Sequence, residues 1–174
     1  MLPAMDNAPC LRPAVLADAA AISAIYNHYV LHSTCTFREE PETVAERECW
    51  LAEHISPHVA IVAEESDGTI AGWASLSRFH ERSAYRFTAE DSVYLRDDRR
   101  GRGLGTHLLA ELMASARQGG FRCVIASITA EQEASLALHR RFGFTDAARL
   151  RHVGLKFGRW LDVVYLQAEL QAGS

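Results

Sequence analysis

The sequence of 174 residues lacks the features that mark several large classes of protein. No apolar run approaches the ~20 residues needed to cross a bilayer, so we expect no membrane span. The first residues contain no basic segment followed by an apolar stretch, which predicts a cytoplasmic protein that is not exported. The chain also has no internal repeat and no low-complexity tract.

Neither sign of charge is in large excess, and cysteine is sparse. The 18 Lys+Arg and 22 Asp+Glu give a net charge of −4, which argues against a nucleic-acid-binding protein. The four cysteines form no C-x-x-C pair: Cys10, Cys35, Cys49 and Cys123. Their wide spacing favours reduced thiols over disulfides or a zinc site. His28 and His32 are four apart on a predicted helix, but no third ligand follows at a suitable spacing, so we expect no metal.

The remaining composition is that of one globular domain. The chain is 48% apolar and 23% charged, and a domain usually has roughly 100–200 residues. We predict a flexible tail over residues 1–10 and a single domain over residues 11–170.

Periodicity and turn signals predict the order α-α-β-β-β-α-β-α-β-β. Asp18 starts the first helix, Pro41 opens the second, and Pro57 ends it. In the second helix, Val44, Leu51 and Ile55 should share one buried face. The order indicates a mixed α/β (α+β) fold, with one mixed sheet and helices on its faces. The later elements are predicted at residues 58–65, 69–79, 88–95, 104–118, 121–128, 133–142, 148–157 and 162–170.

The most specific motif is a glycine-rich turn between a strand and a helix. The strand ends with Val93, Tyr94 and Leu95, and the turn reads Arg99-Arg100-Gly101-Arg102-Gly103-Leu104-Gly105-Thr106. Alternating glycines let successive N–H groups converge, and the helix N-terminus adds partial positive charge. With the arginines as counter-charge, the turn is suited to a pyrophosphate. It contains no lysine and reads G-x-G-x-G, unlike Walker or dinucleotide-binding loops.

This turn resembles the R-x-x-G-x-G signature of the GNAT superfamily of N-acetyltransferases, which hold the pyrophosphate of acetyl-CoA on such a loop. The resemblance extends from about residue 11 to residue 170. Within the superfamily, three stretches resemble the phosphinothricin/methionine sulfoximine acetyltransferase branch. They are residues 25–29 (IYNHY), 85–94 (YRFTAEDSVY) and 156–163 (KFGRWLDV).

The resemblance implies a twisted sheet with two central strands splayed apart for the pantetheine arm, and a homodimer. It assigns acetyl-CoA as co-substrate to the strand and turn residues: Val93, Tyr94, Leu95, Arg100, Gly101, Arg102, Gly103, Leu104, Gly105 and Thr106. A second cofactor region looks like residues 134–139 with Gly143 and Phe144, and includes Ser135. Gln132 stands where the family often has asparagine, so we expect its contact with the cofactor arm to shift.

Acetyl transfer needs a base, an oxyanion site and a route for the leaving thiolate. Glu90 is the candidate base, at the position regarded as the base in the resembling branch. A backbone N–H of Tyr94 or Leu95 should bind the thioester carbonyl. His139 matches the position of a family tyrosine that serves the thiolate. It either gives a proton to the thiolate, or assists the acceptor, or only packs against the cofactor.

Three arginines precede the candidate base and favour an acceptor with an anionic head. A guanidinium suits this role, since it binds a carboxylate through two parallel hydrogen bonds. Of Arg78, Arg82 and Arg86, the last two are the better candidates, because they lie in the partly loop-like segment between Phe79 and Thr88 and can reach the pocket. The resemblance points to phosphinothricin, methionine sulfoximine or methionine sulfone. Tyr29 and Phe37 are candidates for the wall of the substrate pocket.

Two alternatives stay open. The acceptor could be a protein N-terminus, a polyamine or an aminoglycoside. The chain could also be a non-catalytic acyl-CoA sensor, although the presence of Glu90 together with an intact glycine turn argues against that role.

Overall fold

The computed structural model describes residues 9–170. Residues 1–8 of the predicted tail therefore lie outside the described part of the chain. Cys10 belongs to a four-residue edge strand, β1, Cys10–Pro13, that pairs with residues 61–64. This strand begins one residue before the predicted start of the domain, and the sequence analysis does not predict it. A short strand ending in proline carries almost no alternation to detect.

The core of the fold is the predicted mixed sheet, and it has seven strands, because β1 adds to the six that the sequence predicts. Its order is β1-β2-β3-β4-β5-β7-β6, and every neighbouring pair is antiparallel except β4 and β5. The strands after β1 are β2 Ala60–Glu64, β3 Ile70–Arg78, β4 Thr88–Leu95, β5 Cys123–Thr129, β6 Thr145–Lys156 and β7 Arg159–Glu169.

The parallel pair at the centre of the sheet separates part-way along its length. Thr88, Ala89 and Glu90 of β4 pair with Cys123, Val124 and Ile125 of β5. Beyond this point β4 continues to Leu95 and β5 to Thr129 without pairing each other. The splayed strands expected from the family resemblance are therefore confirmed, and they open a cleft through the sheet.

Four α-helices cover the two faces of the sheet: α1 Ala19–His32, α2 Val44–Glu53, α3 Leu104–Gln118 and α4 Glu133–Arg141. On one face, Ile22 and Ile25 of α1 pack with Val62 and Trp73 of the sheet. On the other face, the buried positions of α3 recur every three or four residues and pack on β2–β5. No helix within residues 9–170 is long and apolar enough to cross a membrane.

The second helix departs most from its prediction. It begins at Val44, because Thr43 caps it: the Glu46 N–H donates to Thr43 Oγ1 and the Thr43 N–H to Glu46 Oε2. Of the predicted buried face only Leu51 is buried, while Val44 and Ile55 are 43% and 71% exposed. The inward face instead carries Arg47, which lies 4.3 Å from the ring centre of Trp50.

Candidate active site

A cavity of about 270 Å³ fills the gap between the splayed strands. Residues 91–95 of β4 form one wall and residues 126–129 of β5 form the other. The glycine-rich turn closes one end through Arg100, Gly101 and Gly105. Helix α4 adds Ser135, Leu138 and His139, and Gln132 lies at its N-cap, while Tyr29 and Cys35 reach the cavity from the α1 side. Many of the predicted cofactor residues thus meet at one place.

The separation of the strands leaves backbone groups of β4 without a strand partner. The Arg96 N–H donates to Ala71 O of the strand on the other side, and N–H directions alternate along a strand. The N–H groups of Val93 and Leu95 therefore face the cavity, whereas that of Tyr94 faces β3. Of the two oxyanion candidates, the structure favours Leu95 over Tyr94, whose side chain still lines the cavity.

The turn itself depends on two glycines with positive φ. Gly101 has φ 75° and Gly103, the N-cap of α3, has φ 80°, a region that residues with a Cβ rarely adopt. The first N–H groups of α3 are left without helical partners at this end. These donors, with the positive end of the helix dipole, suit a phosphate group.

The last three predicted cofactor residues of the turn form the start of helix α3. The Leu104 side chain is 6% exposed and belongs to the core under the sheet, so only its backbone is available to a ligand. A Cβ on Gly105 would lie 3.4 Å from Leu138 Cδ2. Thr106 is half-buried, and its N–H donates to Gly103 O at 3.0 Å.

The three arginines of the turn differ in their interactions. Arg99 makes two hydrogen bonds to Glu65, at 2.7 and 3.0 Å, and so fastens the turn to the β2–β3 connection. Arg100 pairs with Asp97, and its guanidinium lies 5.8 Å from the ring centre of Tyr29 at the cavity. Arg102 is exposed and forms no ion pair within residues 9–170.

Glu90 lies at the point where β4 and β5 separate. It is the last β4 residue paired with β5, and Ser77 of β3 lies opposite it. The carboxyl group is half-buried and makes no hydrogen bond to the described residues. Burial, and then the charge of the neighbouring Asp91, raise the pKa of Glu90. A carboxylate with free lone pairs and a raised pKa is suited to accept a proton.

His139 is buried against Asp91 at the wall of the cavity. Its Nε2 lies 2.9 Å from Asp91 Oδ2, and its Nδ1 lies 2.7 Å from Ser135 O. Burial acts to lower the pKa of His139, but the hydrogen bond and charge of Asp91 outweigh it and raise that pKa. Sequence reasoning missed Asp91. The only signal was an acidic residue next to Glu90, which alternation turns to the opposite face.

The loop after α1 is fastened to the mouth of the cavity. Gln132 Nε2 donates to Thr34 Oγ1 at 3.2 Å, and Thr129 Oγ1 donates to Thr34 O at 2.6 Å. Lys156, the only lysine in the sequence, donates from Nζ to Ser33 O and Thr36 O at 2.8 and 2.7 Å. The Gln132 side chain is therefore held at the cavity, and Lys156 supports the loop that carries Cys35.

The residues predicted to bind the acceptor substrate do not all lie at the cavity. Arg82 and Arg86 are exposed in the β3–β4 connection and do not line the cavity. Arg86 lies over the Phe87 ring at 4.5 Å. Tyr29 is buried at the cavity, where its hydroxyl donates to Leu95 O at 2.5 Å. Phe37 is 39% exposed and covers Gly154, where a Cβ would lie 2.2 Å from its ring.

No group of three or more His, Cys, Asp or Glu side chains in the described chain is arranged to hold a metal ion. The two histidines considered in the sequence, His28 and His32, have ring centres 5.1 Å apart.

The splayed sheet, the glycine turn and the cavity between them define an acetyl-CoA-type acyltransferase fold. The model of the acetyltransferase (GNAT) family matches residues 22–144, and the chain belongs to this family. It is similar to an L-methionine sulfoximine/L-methionine sulfone acetyltransferase of Pseudomonas paraeruginosa, with 40% identity over 92% of this chain and 94% of the relative. A phosphinothricin N-acetyltransferase of Alcaligenes faecalis is 41% identical over 90% of this chain and 80% of the relative.

A solved structure also supports membership of this family. The crystal structure of a phosphinothricin acetyltransferase from Sinorhizobium meliloti, in complex with acetyl-CoA, superposes with a TM-score of 0.90. It shares 38% identity and covers 95% of this chain and 90% of its own. The family resemblance read from the motifs is thereby confirmed.

Proposed function

We propose that this acetyltransferase moves an acetyl group from acetyl-CoA to the amine of a small, amino-acid-like acceptor of the phosphinothricin, methionine sulfoximine or methionine sulfone type. The observation that carries the proposal is the cleft, with unpaired β4 N–H groups along one wall and the half-buried Glu90 where the cleft begins. The relatives named for these acceptors support the choice of acceptor. We assign the activity to a domain of residues 11–170, extended by Cys10 to complete β1.

The residues that line the cleft fit acetyl-CoA. The free N–H groups at the start of α3, with Arg100 and Arg102, would bind the pyrophosphate. The backbone of Val93 and Leu95 would bind the pantetheine arm as an added strand does. Gln132 and Ser135 would contact the arm from α4.

In the proposed reaction the neutral amine attacks the thioester carbonyl carbon, and a C–N bond forms. The carbonyl electron pair moves to oxygen, where a β4 N–H that faces the cavity, that of Val93 or Leu95, stabilises the oxyanion. Glu90 takes the proton released by the amine nitrogen. The C–S bond then breaks with its electron pair on sulfur, and His139 supplies the proton that makes the free CoA thiol.

The proposal is tested by CoA release with a thiol reagent against a panel of amines. We expect turnover with methionine sulfoximine, methionine sulfone and phosphinothricin. Their kcat/KM should be at least ~10-fold higher than that of spermidine, an aminoglycoside or an N-terminal peptide. The reason is that only the first group combines a carboxylate with a small side chain. Preference for a cationic acceptor would instead support the second enzymatic interpretation. Acetyl-CoA binding with no release for any amine would support a sensor.

We also propose a homodimer that forms through the β6–β7 hairpin, in the cytoplasm. The cytoplasm is favoured by the spacing of the cysteines. The hairpin exposes a cluster of large apolar side chains, which is unusual for a surface that stays in water. The cluster consists of Leu150, Val153, Leu155, Phe157 and Trp160, exposed by 42% to 63%.

Light scattering coupled to size-exclusion chromatography tests the dimer. The unmodified chain should elute with the mass of two copies, and Trp160→Glu should shift it to one copy, because a buried charge at an apolar interface is costly. Ile55→Glu, at an equally exposed apolar residue outside the hairpin, is the control and should remain dimeric. A monomer at micromolar concentration before any substitution would disprove the proposal.

A further inference from the structure

The His139–Asp91 pair joins the two walls of the cleft. Asp91 lies on β4 and His139 on α4, and the two side chains are 1% and 5% exposed. Both line the cavity assigned to the cofactor. The other carboxylate oxygen of this pair, Asp91 Oδ1, is also buried and has no hydrogen-bond partner among the described residues. Buried polar atoms are rarely left in that state.

The hydrogen bonds of the ring define its protonation state. Ser135 O, a backbone carbonyl, can only accept, so Nδ1 carries a hydrogen. An ionised Asp91 carboxylate can also only accept, so Nε2 carries a hydrogen as well. The ring in this arrangement is an imidazolium, paired with a carboxylate in a buried site. A neutral ring in the same position would turn an Nε2 lone pair toward Asp91 Oδ2 at 2.9 Å, which is repulsive.

We propose that Asp91 is a positioning residue for the transfer reaction: its carboxylate keeps His139 protonated at neutral pH and holds the Nε2–H at the wall of the cleft. The inference rests on the proposed acetyl transfer. When the C–S bond breaks, its electron pair goes to sulfur, and the sulfur takes the Nε2 proton as the hydrogen bond from Nε2–H to Asp91 Oδ2 breaks. His139 is left neutral with its hydrogen on Nδ1, still donating to Ser135 O, and Asp91 stays ionised. The resulting repulsion then favours uptake of a proton from water before the next cycle.

Among the groups around the His139 ring, Asp91 is the one that determines the charge of the ring. Glu90, next along β4, faces the opposite side of the sheet, and the β5 wall at residues 126–129 has no titratable side chain. From the segment before β6, the Phe144 ring packs edge-on at 5.1 Å. The charged residues of α4 itself are exposed: Glu133, Arg140 and Arg141. The other titratable side chains at the cavity are Tyr29, Cys35, Tyr94 and Arg100.

Asp91→Asn tests the inference, because asparagine keeps the shape and a hydrogen-bond acceptor but removes the charge. Nitrogen-15 NMR of the eight histidines, with His139 assigned through His139→Gln, should find both ring nitrogens protonated at pH 7.5 in the unmodified protein. In Asp91→Asn only one should be protonated, because burial then lowers the pKa of His139 and only the hydrogen bond to Ser135 O opposes it. The alkaline limb of the kcat–pH profile should move to lower pH by about one unit or more.

A double-mutant cycle separates positioning from a structural effect. If Asp91 acts through His139, Asp91→Asn should change kcat by less than about 2-fold when His139 is already glutamine. Asp146→Asn, which removes the partner of the exposed Arg140, is the matched control and should keep the profile unchanged.

Two results would overturn the inference. One is a singly protonated His139 in the unmodified protein, a result that does not depend on the folding of Asp91→Asn. The other is an Asp91→Asn profile that coincides with that of the unmodified enzyme. Failure of the proposed function is a different outcome: a doubly protonated His139 in a protein that releases no CoA with any amine.

Discussion

Glu90→Gln is expected to lower kcat by about 10²–10⁴-fold, the usual contribution of a general base. Glutamine has nearly the same volume but no basic lone pair, so the amine proton loses its acceptor. Because the Glu90 carboxylate makes no hydrogen bond to the described residues, the substitution breaks no ion pair. We therefore expect an unchanged fold and an unchanged affinity for acetyl-CoA, measured by calorimetry alongside steady-state kinetics.

The pH dependence gives this prediction a second readout. Burial and the adjacent Asp91 raise the pKa of Glu90 above its usual value, so the active, ionised form is lost at a higher pH than for an ordinary glutamate. The acidic limb of kcat should reflect this group and should flatten in Glu90→Gln. Glu111→Gln, at an exposed position on α3, serves as control and should keep both limbs. A Glu90→Gln enzyme with the original kcat would leave Glu90 only a positioning role.

The sequence predicted those elements of the fold that a pattern within a short stretch of residues identifies. Helix α3 and strand β4 have the predicted bounds, because a clear 3.6-residue apolar period and a glycine turn identify them. Helix α2 was misread because its inward face carries Arg47. That side chain is buried through aromatic contacts and two hydrogen bonds to Glu42, at 2.6 and 2.9 Å. A buried ion pair leaves no apolar pattern in the sequence.

The site shows the same division between local and distant contacts. The glycine turn and Glu90 could be recognised because their chemistry sits in one contiguous stretch. The partner of His139 could not, since 48 residues separate it from Asp91 and only the sheet brings them together. Lys156 is a similar case, because the carbonyls it binds lie 120 and 123 residues away. The choice between Tyr94 and Leu95 required the strand register, which alone determines which N–H faces the cleft.

The second large effect concerns the head group of the acceptor. We expect an amino acid to be acetylated with a kcat/KM that exceeds that of its carboxamide by about 30-fold, equal to ~2 kcal/mol, the range for a hydrogen bond to a charged group. Arg82 and Arg86 are proposed to make this discrimination. Both guanidinium groups belong to the exposed connection that leads into β4, within eight residues of Glu90. Neither forms an ion pair with the described residues, so both remain available to a carboxylate.

The arginine variants decide whether these side chains act on the acceptor. Arg82→Ala or Arg86→Ala should remove most of the preference for the acid by raising its KM, while turnover of the carboxamide stays within about 2-fold, because the neutral head loses no charged partner. Arg117→Ala, at an exposed position of α3, is the matched control and should retain the full preference. Equal turnover of acid and carboxamide by the unmodified enzyme would refute a carboxylate site. Both arginines would then be solvated surface charges, which contribute little to binding or stability, and the acceptor would be a neutral or cationic amine.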